Sequence, residues 1–247
     1  GLERLVGAEY STGEGFAYLY DAVGNRTVQT ETTASAQTEV TTYTYDTANR
    51  LTSVGGVTYT WDARGNLVYD GVFTYTTDGA GRMRAAESVT RTLVYTYSGD
   101  GLRVAQAVDG EETVFTWDVA AGLAQVLGTS DGTLDVYGLA RIGEQRAGEW
   151  AYALGDAVGS VRQWADGAGQ VTYAAGYAPF GELLWSGGST ESAWGYTGEW
   201  WDAAVNLEYL RARWYDVPVG RFSQKDPWRG RSDSRMSRNA WQYVYAN

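Results

Sequence analysis

Aromatic residues recur along the first half of the chain two positions apart, with one small or aliphatic residue between them and a polar residue after. The pattern is complete in Tyr18-Leu19-Tyr20-Asp21, Tyr43-Thr44-Tyr45-Asp46, Tyr59-Thr60-Trp61-Asp62 and Phe115-Thr116-Trp117-Asp118. It returns without the aspartate in Phe73-Thr74-Tyr75-Thr76 and Tyr95-Thr96-Tyr97-Ser98. A period of two places both rings of a copy on one side of a strand and the middle residue on the other. Tyr18, Tyr20, Tyr43, Tyr45, Tyr59 and Trp61 are therefore expected to line one face. Turn residues follow the early copies, in Ala22-Val23-Gly24-Asn25-Arg26, Thr47-Ala48-Asn49-Arg50-Leu51, Ala63-Arg64-Gly65-Asn66-Leu67 and Gly79-Ala80-Gly81-Arg82-Met83. An aspartate accepts the amides two residues on, and Gly or Asn supplies the left-handed residue, so each copy reads as a strand, a tight turn and a returning strand. Repetition at this density predicts a repeat architecture over residues 1–127. The spacing varies, from 14 residues between Trp61 and Tyr75 to 25 between Tyr20 and Tyr45. One continuous coiled sheet of hairpins with unequal loops is expected, Thr30–Thr38 bulging outward as an insertion.

Past residue 127 the hairpin signals continue. Asp131-Gly132 separates Val126-Leu127 from Leu134–Tyr137, and Asp166-Gly167-Ala168-Gly169 separates Val161–Trp164 from Gln170–Tyr173. Residues 120–127 alone have helical composition, and Gly122 interrupts them. From Trp194 the reading is a strand Trp194–Trp200, a turn at Asp202–Asn206, and a second strand Leu207–Tyr215. Alternation in that second strand puts Leu207, Tyr209, Arg211 and Arg213 on one face and Leu210, Ala212 and Trp214 on the other. The two arginines need acceptors or ring faces, and Asp202, Asp216 and Asp226 are the nearby carboxylates. A turn at Asp216–Gly220 then starts a new extended segment at Arg221-Phe222.

Composition supports this picture and closes off much chemistry. Eleven Trp, nineteen Tyr and thirty-two Gly against three Pro favour an all-β protein rich in turns. More than a third of the residues are expected in strands. The absence of cysteine excludes disulfides and thiol nucleophiles, and the absence of histidine removes the usual general base and nearly every zinc site. One aspartate per turn falls far short of the oxygens calcium needs, so the repeat aspartates read as turn caps, with no metal. Gly155-Asp156-Ala157-Val158-Gly159-Ser160 lacks the ending of a phosphate loop, and no cofactor site is read. The net charge of −11 argues against nucleic acid as a partner. That charge is uneven: Arg221 to Asn247 carries six basic and two acidic residues, a net of +4, which leaves −15 for residues 1–220. No apolar run is long enough for a helix to span a membrane. With Gly1 in place of an initiating Met, the chain is expected to be part of a longer protein.

The run Tyr196-Thr197-Gly198-Glu199, Tyr209-Leu210-Arg211-Ala212-Arg213-Trp214-Tyr215-Asp216, Gly220-Arg221-Phe222 and Asp226-Pro227 resembles the core signature that ends the repeats of RHS/YD-repeat proteins. Gly155–Arg162 and Tyr177-Ala178-Pro179-Phe180-Gly181-Glu182 resemble its upstream parts, in the family's order. That family includes bacterial polymorphic toxins, the C components of insecticidal toxin complexes, and teneurins. The resemblance implies a spiral sheet of stacked hairpins forming a β-shell with an irregular C-terminal plug. It divides the chain into repeat hairpins (1–127), a core-associated β region (128–227) and a tail leading toward an autoproteolysis segment (228–247). The signature residues Tyr196, Gly198, Tyr209, Arg211, Arg213, Tyr215, Asp216, Gly220, Arg221, Phe222 and Pro227 are implied to be structural. The implied role is to encapsulate and present a C-terminal toxin or effector, with flanking YD repeats as neighbours, in a secreted or cell-surface parent. Asp226 is the catalytic candidate, since the resemblance implies an intramolecular aspartyl protease built from two such motifs. The second Asp would lie past Asn247, so this chain alone is expected not to cleave. The other alternative is an adhesion module whose aromatic rows stack cell-surface glycans, set against ordinary inter-strand packing of those rings. The cationic, Trp-rich tail is expected to dock against the Trp194–Phe222 hairpins rather than extend into solvent.

Overall fold

The computed structural model describes residues 4–120, 122–228 and 239–243. Strands account for 53% of the chain, well past the expected third. Among the described residues the helical content is one three-residue 3-10 turn, Tyr196–Gly198. The chain forms two compact units, one of residues 1–81 with 219–247 and one of residues 82–218.

In the first unit, six strands from Gly7–Glu9 to Val57–Thr58 form an antiparallel meander, each pairing with the next in sequence. Thr60–Trp61, Leu67–Tyr69 and Thr74–Thr77 continue the order as a second ladder. The expected single sheet is thus interrupted at Tyr59, whose N–H donates to Thr52 O at 3.0 Å. The Thr30–Thr38 insertion does not bulge. It prolongs the strands Arg26–Thr32 and Thr38–Tyr45, whose ladder runs to a Thr32 and Thr38 pair. Tyr43, Leu51 and Val219 form a buried cluster with Tyr45, Val54, Tyr59 and Trp61 packed on it. The Arg26 guanidinium lies over both Tyr18 and Tyr43, so rings from successive copies share a face as the period-two reading expects.

One turn chemistry repeats. The Asp21 carboxylate accepts the N–H groups of Val23 and Asn25, Asp46 those of Ala48 and Arg50, and Asp62 those of Arg64 and Asn66. Gly24, Asn49 and Gly65 take the left-handed conformation at the fourth turn position. The ladder slips by one residue just before each turn, between Leu19 and Tyr20, Thr44 and Tyr45, and Thr60 and Trp61. Such bulges bend the strand into the reversal. With each carboxylate saturated by backbone donors, the aspartates are caps.

The second unit repeats the design. From Met83–Glu87 through Leu183–Gly188 each strand pairs antiparallel with its successor. Asp156 and Asp166 cap their turns as the early copies do, and the hairpins at Asp131-Gly132 and Asp166–Gly169 stand where their turn residues place them. A small sheet follows, of Trp200–Asp202, Leu207–Leu210 and Arg213–Asp216. Two expectations need correction here. Trp194–Trp200 is not a strand, because the 3-10 turn Tyr196–Gly198, with Thr197 at φ 50°, intervenes. Leu207–Tyr215 is not one strand either: Arg211 at φ 59° reverses the chain, so Leu210 pairs with Arg213 and Tyr209 with Trp214. Strict alternation through Arg211 therefore fails, and Tyr209 and Trp214 share a face.

Candidate functional site

The motifs that carry the signature meet in the second unit through backbone contacts that leave no room for larger residues. The N–H of Thr197 donates to Ser160 Oγ at 3.0 Å, and that of Val161 to Gly195 O at 2.9 Å. Gly198 has φ 71°, and a Cβ there would stand 2.8 Å from Gly159 O. This close approach requires glycine and welds Tyr196–Glu199 to the Gly155–Arg162 turn. Tyr196 Oη donates to Pro179 O at 3.1 Å and Tyr215 Oη to Phe180 O at 2.8 Å, so the Tyr177–Glu182 turn joins the same assembly. Arg211 finds its acceptor in Glu199, at 2.7 and 2.8 Å, and its Nε donates to Ala124 O. Glu199, not Asp202, Asp216 or Asp226, is its carboxylate. Arg213 and Asp216 lie in the third strand of the small sheet, Asp216 buried.

Asp202 serves a different arginine, one that the sequence reading passed over. Arg103 is fully buried, with Nη1 3.3 Å from Asp202 Oδ2 and 2.7 Å from Gln106 Oε1. Its guanidinium lies 4.4 Å from the ring centre of Phe115, 4.5 Å from Tyr209 and 5.2 Å from Trp214, with Trp200 and Tyr95 completing the cage. Nε and Nη2 have no hydrogen-bond partner, and the ring faces take their place. Burial pushes the Asp202 carboxyl up, and Arg103 pulls against it. A signal for Arg103 was present. Counting five residues on from the first turn residue, Asp21, Asp46, Asp62, Asp78 and Ser98 lead to Arg26, Leu51, Leu67, Met83 and Arg103, all buried. An arginine where other copies hold Leu or Met occupies a core position and needs rings.

The first unit holds the rest of the signature. Gly220 has φ 67° and leads into Arg221–Phe222, a short strand. Arg221 is buried, with Nη1 donating to Asn25 Oδ1 at 3.0 Å and Nη2 to Asn49 O at 2.8 Å and Asn239 Oδ1 at 3.0 Å. Its guanidinium also lies over Tyr45. Asn25 in turn is held by Asp21, so one arginine ties the first two repeat turns to the tail. Asp226 is half-buried, its carboxylate accepting the Trp228 N–H at 2.8 Å and its own N–H donating to Ala240 O, while Pro227 is exposed. The described tail residues dock on repeat turns and on Arg221-Phe222. Trp241 Nε1 donates to Gly65 O at 3.0 Å, and Asn239 reaches Val23 and Asn25. Within the expected Trp194–Phe222 stretch, the Phe222 N–H donates to Trp241 O at 2.9 Å and the Phe222 ring meets Tyr243 edge-on. Residues 229–238 and 244–247 of the tail lie outside the described residues.

A meander of aspartate-capped hairpins, with aromatic and arginine side chains packed on one another within each unit and signature motifs locked together, defines an all-β repeat protein. The chain belongs to the teneurin YD-shell family, which it matches over residues 2–247. No curated protein matches it in sequence. Among solved structures it is similar to the TcdB2-TccC3-Cdc42 crystal structure, at TM-score 0.76 and 20% identity over 95% of this chain. It is similar to TcdB2-TccC3 at TM-score 0.75 and 20% identity over 94%, and to the Tc holotoxin pore of Photorhabdus luminescens at 0.74 and 18% over 95%. The chain spans 13% of the length of each of those matched chains.

Proposed function

We propose that this chain is a wall segment of a shell that encloses a C-terminal toxin or effector polypeptide and presents it, in a secreted or cell-surface parent protein. The observation that carries the reading is the match to a shell family along residues 2–247, supported by likeness in fold to TcdB2-TccC3 and to a Tc holotoxin pore. The physical design agrees with an enclosing role. Among the described residues the strands inside each ladder pair on both sides with their neighbours in sequence, and the repeat rings Tyr18, Tyr43, Tyr75 and Tyr95 are buried. Rings so placed hold a wall together.

Limited trypsin digestion of the full-length parent tests the reading. The polypeptide following this segment is expected to survive while the shell is folded, and to be cut rapidly once the shell is opened with denaturant. Cutting at the same rate in both states rejects enclosure.

A further inference from the structure

The small sheet of the second unit has two faces, and one of them points into a cavity. Trp200, Asp202, Tyr209 and Trp214 face Arg103. By the pairing of Trp201 with Glu208, and of Glu208 with Tyr215, these three project to the opposite side. There a cavity of about 320 Å³ is lined by Tyr173, Tyr177, Trp194, Tyr196, Trp201 and Glu208. The volume is at the lower end of what small-molecule sites use.

Glu208 is 1% exposed, and neither of its carboxyl oxygens has a hydrogen-bond partner. Buried carboxylates are ordinarily paired or bonded, because leaving one bare costs heavily. Burial pushes this carboxyl well above the usual range, and the like charge of Glu199 adds to it. A second carboxylate, Glu182, also lines the cavity, and no lysine or arginine does. The site therefore offers the two unused acceptor oxygens of Glu208, a lining without a basic side chain to meet them, and walls of tyrosine and tryptophan. A cation that donates hydrogen bonds meets all three conditions at once, since ring faces attract ammonium groups and each N–H can meet a carboxylate oxygen.

We propose that this cavity is a binding site for a primary alkylammonium group, with Glu208 as its counter-ion and the surrounding rings as its walls. The group arrives either on a free amine or as the side chain of a lysine. The shell reading is not required for this, since the site is built within one unit.

Isothermal titration of the full chain with n-butylammonium chloride, n-butanol and Nα-acetyl-lysine methylamide tests the proposal. The ammonium compound is expected to bind at least tenfold more tightly than the alcohol of the same shape, and Glu208→Gln is expected to erase that preference. Tighter binding of the lysine derivative than of butylammonium identifies a protein segment as the source, and the reverse order identifies a free amine. Equal binding of butylammonium and butanol by the unaltered chain, absence of ammonium binding, or a preference that survives Glu208→Gln overturns the proposal. The comparison of amine with alcohol needs no variant, so it decides even if Glu208→Gln fails to fold.

Discussion

Arginine is the residue on which the packing of both units turns. Arg103 sits where other repeats place Leu51, Leu67 or Met83, yet it carries a charge with one buried carboxylate and several ring faces for company. A buried pair broken from one side leaves the other charge bare, which costs about 3–5 kcal/mol. Arg103→Met is therefore expected to destabilise the chain by roughly that amount in urea denaturation. Adding Asp202→Asn should recover part of it, because the orphaned charge is then gone. A double variant no better than the single would assign the role to ring packing instead. The turn aspartates act in the opposite electrostatic sense. Burial pushes Asp62 up, but the Asn66 N–H and amide with the Arg64 N–H outweigh it and hold the carboxyl below its usual range. A depressed carboxyl contributes stability that is present above its unfolded value and lost as pH falls through the folded one. Asp62→Ala is expected to cost about 1–2 kcal/mol at neutral pH, as cap removal does, and progressively less below about pH 4.

At the scale of elements, legibility followed locality. Turns whose chemistry lies within five residues, such as Asp131-Gly132 and Asp166–Gly169, could be read directly, since the capping side chain and the left-handed residue are both in the segment. The Leu207–Tyr215 stretch misled because its alternation is real on either side of Arg211. What breaks it is the docking of the Arg211 side chain on Glu199 and Ala124, partners 12 and 87 residues away. Arg103 was missed for a related reason, since a single arginine announces a cage only when the repeats are aligned on their turns. The described tail residues dock, as the sequence predicts, and they do so on repeat turns far away in sequence as well as on Arg221 and Phe222. Trp241 is 5% exposed, edge-on to Trp61, and lies where a Cβ on Gly65 would stand 2.9 Å from its ring. Trp241→Ala removes a buried indole and is expected to cost about 3–5 kcal/mol. Gly65→Ala, which strains the turn at φ 92° and pushes on the same ring, should also destabilise. Urea midpoints for the two variants check both. If Trp241→Ala leaves the midpoint in place, the docked segment contributes nothing to folding.

Across the whole molecule the acids fall into groups held low and groups pushed high, and these shape the pH profile of stability. Asp46 and Asp62, saturated by backbone donors, are held low despite the push of burial. Glu208 is pushed well above its usual range by burial and by Glu199, and among the described residues no lysine or arginine lines its cavity. For a carboxyl whose folded value is raised, the folded state holds a proton that the unfolded chain has already lost between the two values. Stability then falls as pH climbs through that interval. The low acids work only below about pH 4, where they remove stability as they protonate. Stability is therefore expected to peak on the acid side of neutrality and to decline as pH rises above about 5. Glu208→Gln removes the group that must ionise, so its urea midpoint should match the unaltered chain near pH 5 and exceed it increasingly at higher pH. A variant whose midpoint runs parallel to that of the unaltered chain from pH 5 to pH 9 would show that Glu208 is ionised in the folded protein, and the assignment of the decline to this residue would fail.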